Sequence, residues 1–205
     1  MVKLEGLFSS LTLTDQLNDV VDNDAIINYC YDLRKGNDYP GNWSSGRLPL
    51  DHLDSTPLDK LKAEIIDRAL TVKNAMGVKE ELDITIKNYW ANIYEPSSNQ
   101  VLPSTSPHMH SNYFLSVVYY PKATVGAGSL TLMAPFTGLE HTLTYMHVGT
   151  PGYFNANKWH IEPEPGKLII FPSWLWHFVR YDGGDSEDRI SIAFDTIIRK
   201  KNVHT

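Results

Sequence analysis

The spacing of apolar residues divides the chain into a helical first part and a strand-rich remainder. Two amphipathic helices are predicted. One is capped by Asp24 and ends at Gly36, and a stronger one has Thr56 as its N-cap, Pro57 at its first position and its end at Gly77. Apolar residues recur in them at three- and four-residue spacing: Ile26, Ile27, Cys30 and Leu33, then Leu58, Leu61, Ile65, Ala69, Val72 and Met76. The apolar face of the second helix needs a partner, and the outer side of a sheet is the simplest one.

From Leu82 the period of the pattern changes to two. One long strand is predicted to carry on a single face Leu82, Ile84, Ile86, Trp90 and Tyr94. Shorter strands, separated by Gly and Pro turns, are predicted at 113–120, 128–133, 143–148, 158–162, 167–171, 174–180 and 189–198. About eight short strands that follow two helices indicate a mainly β (α+β) sandwich or jelly roll, buttressed by the N-terminal helices.

Composition narrows the class of protein. The chain has 205 residues, so we expect one domain over 1–205, with helical support at about 14–77 and a barrel at about 82–198. The net charge of -6 gives no general attraction to nucleic acid or to anionic membranes. The single cysteine, Cys30, excludes an intrachain disulfide and is interpreted as a core residue. Because the first residues contain no long apolar run, we expect a cytoplasmic protein without a membrane segment.

Three histidines are the candidate metal ligands. His108 and His110 are two residues apart, so an extended backbone points both rings to the same side. Such a pair alone is more often a surface or core feature, but a jelly roll brings a late strand beside an early one, and His177 is the best third ligand. His160 is the reserve candidate. Two tryptophans beside His177, Trp174 and Trp176, either limit water access to the centre or only pack at its rim.

Arg189 is the candidate anion-binding residue. On the last strand it shares a face with Ser191 and Ala193, while alternate apolar residues take the opposite face. An arginine carried into an apolar interior needs an anionic partner, and a dicarboxylate cosubstrate would supply one, with the Ser191 hydroxyl as a further donor. The competing interpretation is an ordinary salt bridge with a neighbouring acid: Asp185, Glu187 or Asp188.

The order His-x-His, then FPxxxxH at 171–177, then RxS at 189–191 resembles the iron(II)/2-oxoglutarate oxygenase superfamily. Its members use a His-x-Asp/Glu pair, a distal His and an Arg on the following strand. The segment LSVVYY at 115–120 is similar to one in an uncharacterised phage and bacterial group of that superfamily. The likeness covers about 82–197 and implies a double-stranded β-helix, iron(II), O2 and the cosubstrate 2-oxoglutarate.

The resemblance also implies roles for the other site residues. Arg189 and Ser191 would bind the distal carboxylate of 2-oxoglutarate. Tyr120 would present its hydroxyl to the same carboxylate, although a slip of one residue in the strand register would put Tyr119 there instead. Two further pocket-lining residues, expected on weaker grounds, are Asn92 and Tyr94.

His110 departs from the superfamily pattern because it stands where the carboxylate ligand is usual. Three neutral ligands would leave the iron more positive and alter its reactivity. Two alternatives therefore stay open: a cupin-like metal-binding protein without 2-oxoglutarate turnover, and a cupin-type isomerase or dioxygenase that needs no cosubstrate. The loops predicted to select the substrate are at 96–107, 134–142 and 149–157. The primary substrate, a small molecule or a protein side chain, is not readable, and a homodimer is one option for assembly.

Overall fold

A computed structural model describes residues 10–36, 42–49, 56–96, 105–124, 126–135, 149–150, 152, 155–179 and 187–201. It contains the helices α1 (Asn23–Arg34) and α2 (Leu58–Ala75). Its strands are β1 (Leu13–Gln16), β2 (Trp43–Ser44), β3 (Leu82–Tyr94), β4 (Leu115–Lys122), β5 (Leu130–Met133), β6 (Lys158–Ile161), β7 (Lys167–Pro172), β8 (His177–Val179) and β9 (Arg189–Lys200). The predicted strand at 143–148 lies outside the described residues. Within them, no helix is both long and apolar enough to cross a membrane.

The strands form two antiparallel sheets. The larger has the order β1-β7-β4-β9-β3-β2, and the smaller has the order β6-β5-β8. Both helices pack on one face of the larger sheet, where the main apolar core lies, and a second apolar cluster joins residues of the two sheets. This is the jelly roll of a double-stranded β-helix, so the predicted fold class is confirmed.

The helices begin close to the predicted residues. The N-cap of α1 is Asp22 and not Asp24, because the Asp22 side chain accepts a hydrogen bond from the Ala25 backbone N–H at 3.0 Å. The N-cap of α2 is Pro57 and not Thr56, so the helix begins one residue later than predicted, although the Thr56 hydroxyl accepts a hydrogen bond from the Leu58 N–H at 3.2 Å. Cys30 is buried in the core between α1 and the sheet, as predicted.

A β-bulge in β3 changes which side chains share a face of that strand, so the predicted set was wrong. Ile86 pairs with Thr196 and Asn88 pairs with Asp195, so Lys87 is an extra residue without a partner across the ladder. The alternation therefore reverses at Lys87. Ile84 and Ile86 face the helices, together with Tyr89, Ala91 and Ile93. Trp90 and Tyr94, predicted to share the face of Ile84 and Ile86, face the other side, where they line a pocket with Asn92.

Two further differences concern short strands. The region predicted as helical support at about 14–77 also contains most of β1 and the whole of β2, which pair with β7 and β3 at opposite edges of the larger sheet. The strand predicted at 174–180 is shorter, because a turn at 173–174 separates β7 from β8. That turn moves the chain from the larger sheet to the smaller one and leaves His177 as the first residue of β8.

Candidate functional site

The backbone brings the three predicted histidines to one place. The segment that carries His108 and His110 lies antiparallel to β8, and the backbone groups of His108 and His177 exchange hydrogen bonds of 3.0 and 2.8 Å. His110 donates its backbone N–H to the Ser173 carbonyl at 2.9 Å. The ring centroids lie 4.4 to 5.3 Å apart, and one nitrogen from each ring lies within 4.8 Å of the others.

Hydrogen bonds leave the same nitrogen available on each ring. The Nδ1 of His108 lies 2.8 Å from the Ser106 carbonyl, and that of His177 lies 2.9 Å from the Leu175 carbonyl. Because a carbonyl only accepts, these Nδ1 atoms carry the proton and each Nε2 keeps its lone pair. The Nδ1 of His110 lies 2.5 Å from Oδ1 of Asp195, which leaves its Nε2 available as well.

The electrostatics at His177 favour a neutral ring. Burial lowers its pKa to about 4, with the nearby His108 and His110 acting in the same direction and the Leu175 carbonyl against it. A neutral imidazole is the form that binds a metal ion. Phe171 lies edge-on to the His177 ring at 4.8 Å and covers it from the apolar side.

Arg189 lies in the same pocket as the three histidines and is 1% exposed. Its Nη2 donates to the Tyr120 hydroxyl at 3.3 Å, while Nε and Nη1 have no hydrogen-bond partner among the described residues. The neighbouring acids that the described part of the chain includes are engaged elsewhere: Glu187 pairs with Lys122 at 3.2 Å, and Asp188 accepts from Tyr31 at 2.8 Å. A buried guanidinium with two unused donors fits an anionic ligand.

The two adjacent tyrosines of β4 face opposite sides of the sheet. Tyr120 lines the pocket, and the guanidinium of Arg189 lies 4.9 Å from the centre of its ring. Tyr119 belongs to the core on the helical side, and its hydroxyl donates to Asn23 at 2.5 Å. Burial raises the pKa of Tyr120, so its phenol stays protonated at neutral pH and is able to donate a hydrogen bond.

The remaining predicted residues also line this pocket. Ser191 is 4% exposed and pairs across the ladder with Asn92, while Tyr94 pairs with Arg189. The centre of the Tyr94 ring lies 5.2 Å from the Arg189 guanidinium. The pocket has a volume of about 590 Å³, which includes solvent at its mouth.

Asp195 is the site residue that sequence analysis missed. It is fully buried, and its two carboxylate oxygens contact His110 and Asn88 at 2.5 and 2.9 Å. Asp195 continues the alternation that begins at Arg189, so period-two spacing alone would have placed it on the pocket face. Asn88 needed the bulge at Lys87 to reach that face, and no local sequence signal predicts the bulge.

Three other candidates lie outside the cluster. His160, the reserve ligand, is exposed on β6 and shares a hydrogen bond with Thr131 at 2.8 Å. Trp174 and Trp176 are about half exposed, and neither lines the pocket. Their positions favour the second interpretation, packing at the rim, and the aromatic residues that line the pocket include Trp90 and Phe171.

Known proteins resemble this chain in sequence profile and in fold. A family model described as "Putative 2OG-Fe(II) oxygenase" matches residues 88–195, more than half of the chain. Among curated proteins, none matches in sequence. A Pseudomonas putida prolyl-4-hydroxylase structure is 14% identical with a TM-score of 0.57, covering 91% of this chain and 92% of that one.

Two further solved structures are similar to this chain. A prolyl hydroxylase from Trichoplax adhaerens, in complex with a peptide of hypoxia inducible factor, is 16% identical with a TM-score of 0.57, covering 91% of this chain and 83% of that one. A 2OG-Fe(II) oxygenase family oxidoreductase from Burkholderia pseudomallei is 16% identical with a TM-score of 0.43, and the alignment covers 63% of this chain and 51% of that one.

The pocket chemistry agrees with the family model. Imidazole nitrogens suit iron(II), and the unused donors of Arg189 suit a carboxylate of 2-oxoglutarate. The chain belongs to the 2OG-Fe(II) oxygenase family and is an enzyme of that class, which uses iron(II), 2-oxoglutarate and dioxygen.

Proposed function

We propose that His108, His110 and His177 hold iron(II) through their Nε2 atoms, and that Arg189 with Tyr120 and Ser191 binds the distal carboxylate of 2-oxoglutarate. The enzyme would couple oxidative decarboxylation of 2-oxoglutarate to oxidation, most simply hydroxylation, of a primary substrate. One observation carries the proposal. A single pocket joins three imidazoles with free Nε2 atoms to a buried arginine that has two unused donors.

The energetics of Arg189 support the cosubstrate role. Removing a guanidinium from water costs several kcal/mol. The one hydrogen bond that Arg189 donates to the Tyr120 hydroxyl does not offset this cost. A carboxylate would accept from the unused nitrogens and neutralise the charge, with the hydroxyls of Tyr120 and Ser191 as neighbouring donors. The Tyr94 and Tyr120 rings lie beside the guanidinium and stabilise its positive charge by cation–π contact.

The position of Arg189 along β9 supports one orientation for bound 2-oxoglutarate. Arg189, Ser191, Ala193 and Asp195 alternate along the pocket face, and Asp195 contacts His110. Six residues of extended strand separate the arginine from Asp195 by about 20 Å between Cα atoms. Arg189 and the three histidines line one pocket, so 2-oxoglutarate would lie with one carboxylate at Arg189 and its 2-oxo acid end toward the histidines.

Bound iron(II) would supply the chemistry of this enzyme class, the activation of dioxygen and the decarboxylation of 2-oxoglutarate. The chain's own residues would orient the cosubstrate and exclude water. Apolar side chains of both sheets line the pocket between its two polar ends: Val118, Leu130, Phe171, Val179 and Ala193. An apolar lining of this kind lowers the local dielectric constant, and this strengthens the interaction of Arg189 with an anion.

The primary substrate is a small molecule or a protein side chain. A prolyl hydroxylase structure that resembles this fold holds a peptide, which supports including protein side chains among the substrates to be tested. A cytoplasmic location and a homodimeric assembly stay predictions from the sequence.

The cosubstrate assignment is tested by titrating 2-oxoglutarate into the anaerobic iron(II)-loaded protein. We expect a metal-to-ligand charge-transfer band in the visible spectrum, and succinate formation once air is admitted. Arg189→Met should raise the dissociation constant for 2-oxoglutarate about 100-fold, equivalent to about 3 kcal/mol of charge-assisted hydrogen bonds. Its affinity for iron(II) should not change.

Arg199→Met is the matched control, because Arg199 is an exposed arginine on the same strand. His177→Ala should abolish tight iron(II) binding, whereas His160→Ala should leave it intact. A wild-type protein that binds iron(II) but shows neither the band nor succinate would be a metal-binding protein without 2-oxoglutarate turnover, and the proposal would be wrong. Equal cosubstrate affinity in Arg189→Met and Arg199→Met would overturn the assigned role of Arg189.

A further inference from the structure

The hydrogen-bond partners of the three histidines differ in charge. His108 and His177 each direct Nδ1 at a neutral backbone carbonyl, whereas His110 directs Nδ1 at the buried carboxylate of Asp195. The Nδ1 to Oδ1 distance is 2.5 Å, and Asp195 is fully buried. The charged partner is therefore at the one position where the superfamily pattern has a carboxylate ligand and this chain has an imidazole.

The surroundings of Asp195 hold its carboxylate in position. Asn88 donates to Oδ2 at 2.9 Å, and the guanidinium of Arg47 lies 3.5 Å from the same oxygen. Oδ1 is thereby left to His110. The Ser116 hydroxyl also lies 3.2 Å from His110 Nδ1, but it has a second partner in Ser173 at 2.9 Å. Asp195 is thus the closest partner of this nitrogen.

A carboxylate on Nδ1 has two effects on an imidazole ligand. It fixes the tautomer and the ring orientation, so that Nε2 presents its lone pair to the metal. It also raises the basicity of that lone pair, because the negative charge draws the Nδ1 proton away from the ring. A backbone carbonyl has the first effect and much less of the second.

We propose that Asp195 is a positioning residue for His110 and supplies to the metal centre, through the imidazole ring, the negative charge that three neutral ligands lack. The inference rests on the proposed function in that His110 is taken as a ligand. The opposing view is that Asp195 serves only to pair Asn88 and Arg47 within the sheet. The two views differ in what happens to metal affinity when the charge is removed and the fold is kept.

Two substitutions separate position from charge. Asp195→Asn keeps a side-chain oxygen as an acceptor for the Nδ1 proton and removes the charge. Asp195→Ala removes both. Losses of metal affinity for partners of ligands are typically about 10- to 100-fold. We expect the dissociation constant for cobalt(II) or iron(II) alone, measured anaerobically by competition with a chromogenic chelator, to rise about 10-fold in Asp195→Asn and toward 100-fold in Asp195→Ala.

The matched control is Ser116→Ala, which removes the longer contact to the same nitrogen and should leave the metal dissociation constant within about twofold, since a redundant neutral contact contributes little. A second readout needs no metal. Long-range ¹H–¹⁵N spectra of the wild-type apoprotein should show His110 protonated at Nδ1 and not at Nε2, and Asp195→Ala should lose this preference while His108 and His177 keep theirs.

The outcomes distinguish this inference from the proposed function. Unchanged metal affinity in folded Asp195→Asn, or a wild-type His110 that carries its proton on Nε2, would overturn the role of Asp195. Absence of 2-oxoglutarate binding would overturn the proposed function and leave the metal and tautomer measurements valid. If Asp195→Ala fails to fold, Asp195→Asn and the wild-type spectrum decide the question.

Discussion

The Tyr120 hydroxyl lies 3.3 Å from Nη2 of Arg189, and the two residues are 69 positions apart in the chain. They meet because β4 and β9 are neighbours in the larger sheet and both side chains face the pocket. The phenol occupies one nitrogen of the guanidinium and leaves Nε and Nη1 unpaired among the described residues. A carboxylate placed there would meet donors from both side chains.

Tyr120→Phe should weaken cosubstrate binding while the metal site is kept. The substitution removes one hydroxyl donor, worth about 1 kcal/mol, so the dissociation constant for 2-oxoglutarate should rise about fivefold. Isothermal titration of the anaerobic iron(II)-loaded protein measures this constant. Iron(II) affinity should be unchanged because the phenol does not contact the histidines.

Tyr119→Phe is the control for this change, since the Tyr119 hydroxyl bonds to Asn23 on the opposite face of the sheet. It should lower the free energy of unfolding by about 1 kcal/mol and leave 2-oxoglutarate affinity as it was. If Tyr119→Phe weakened the cosubstrate more than Tyr120→Phe, the assigned orientation of β4 would be wrong.

Deleting Lys87 should disrupt the fold far more than replacing it. Without the extra residue, continuous alternation would force Ile84 and Ile86 toward the pocket, or else turn the site face of β3 toward the helices. Two isoleucines leaving the core would lower the free energy of unfolding by about 4 kcal/mol. Lys87→Ala, at the same exposed position, should change it by less than about 0.5 kcal/mol. Urea denaturation measures both, and a deletion variant of native stability would contradict this account of the bulge.

Gly166→Ala should cost more stability than Gly126→Ala, although both glycines have a positive φ, +79° and +88°. A Cβ at Gly126 meets open space, so the cost there is the left-handed backbone alone, about 1 kcal/mol. A Cβ at Gly166 would lie 2.0 Å from Oδ1 of Asn18. The Asn18 side chain would then have to give up the hydrogen bond that its Nδ2 donates to the Pro165 carbonyl and the one that its Oδ1 accepts from Asn23.

The additional cost at Gly166 is about 2 kcal/mol for the two hydrogen bonds of Asn18. Thermal unfolding of the two variants tests the difference. The double variant Asn18→Ala/Gly166→Ala should be no less stable than Gly166→Ala, because the clash is removed together with both hydrogen bonds. Equal losses at the two glycines would show that Asn18 moves aside at no cost.

The site shows which side-chain directions can be predicted from the period of two along a strand. Along β9 the alternation of side chains is uninterrupted through the site, so the residues that face the pocket can be predicted from the sequence. Asp195 follows the same alternation as Arg189 and Ser191, and the sequence analysis missed it. Along β3 the same reading was wrong beyond Ile86, because the bulge adds one residue and reverses the alternation. A bulge depends on how two strands pair, and the sequence of one strand does not specify which residues of another strand lie opposite it.

The sequence by itself determined the class of fold, the extended segment that carries two histidines on one side and the family of the enzyme, because these depend on local period and on ordered motifs. Only the tertiary structure decided that Tyr120 and not Tyr119 meets Arg189, and that Asp195 is the partner of His110. Strand register and the contacts of buried charges arise from packing between distant segments, so no local pattern specifies them.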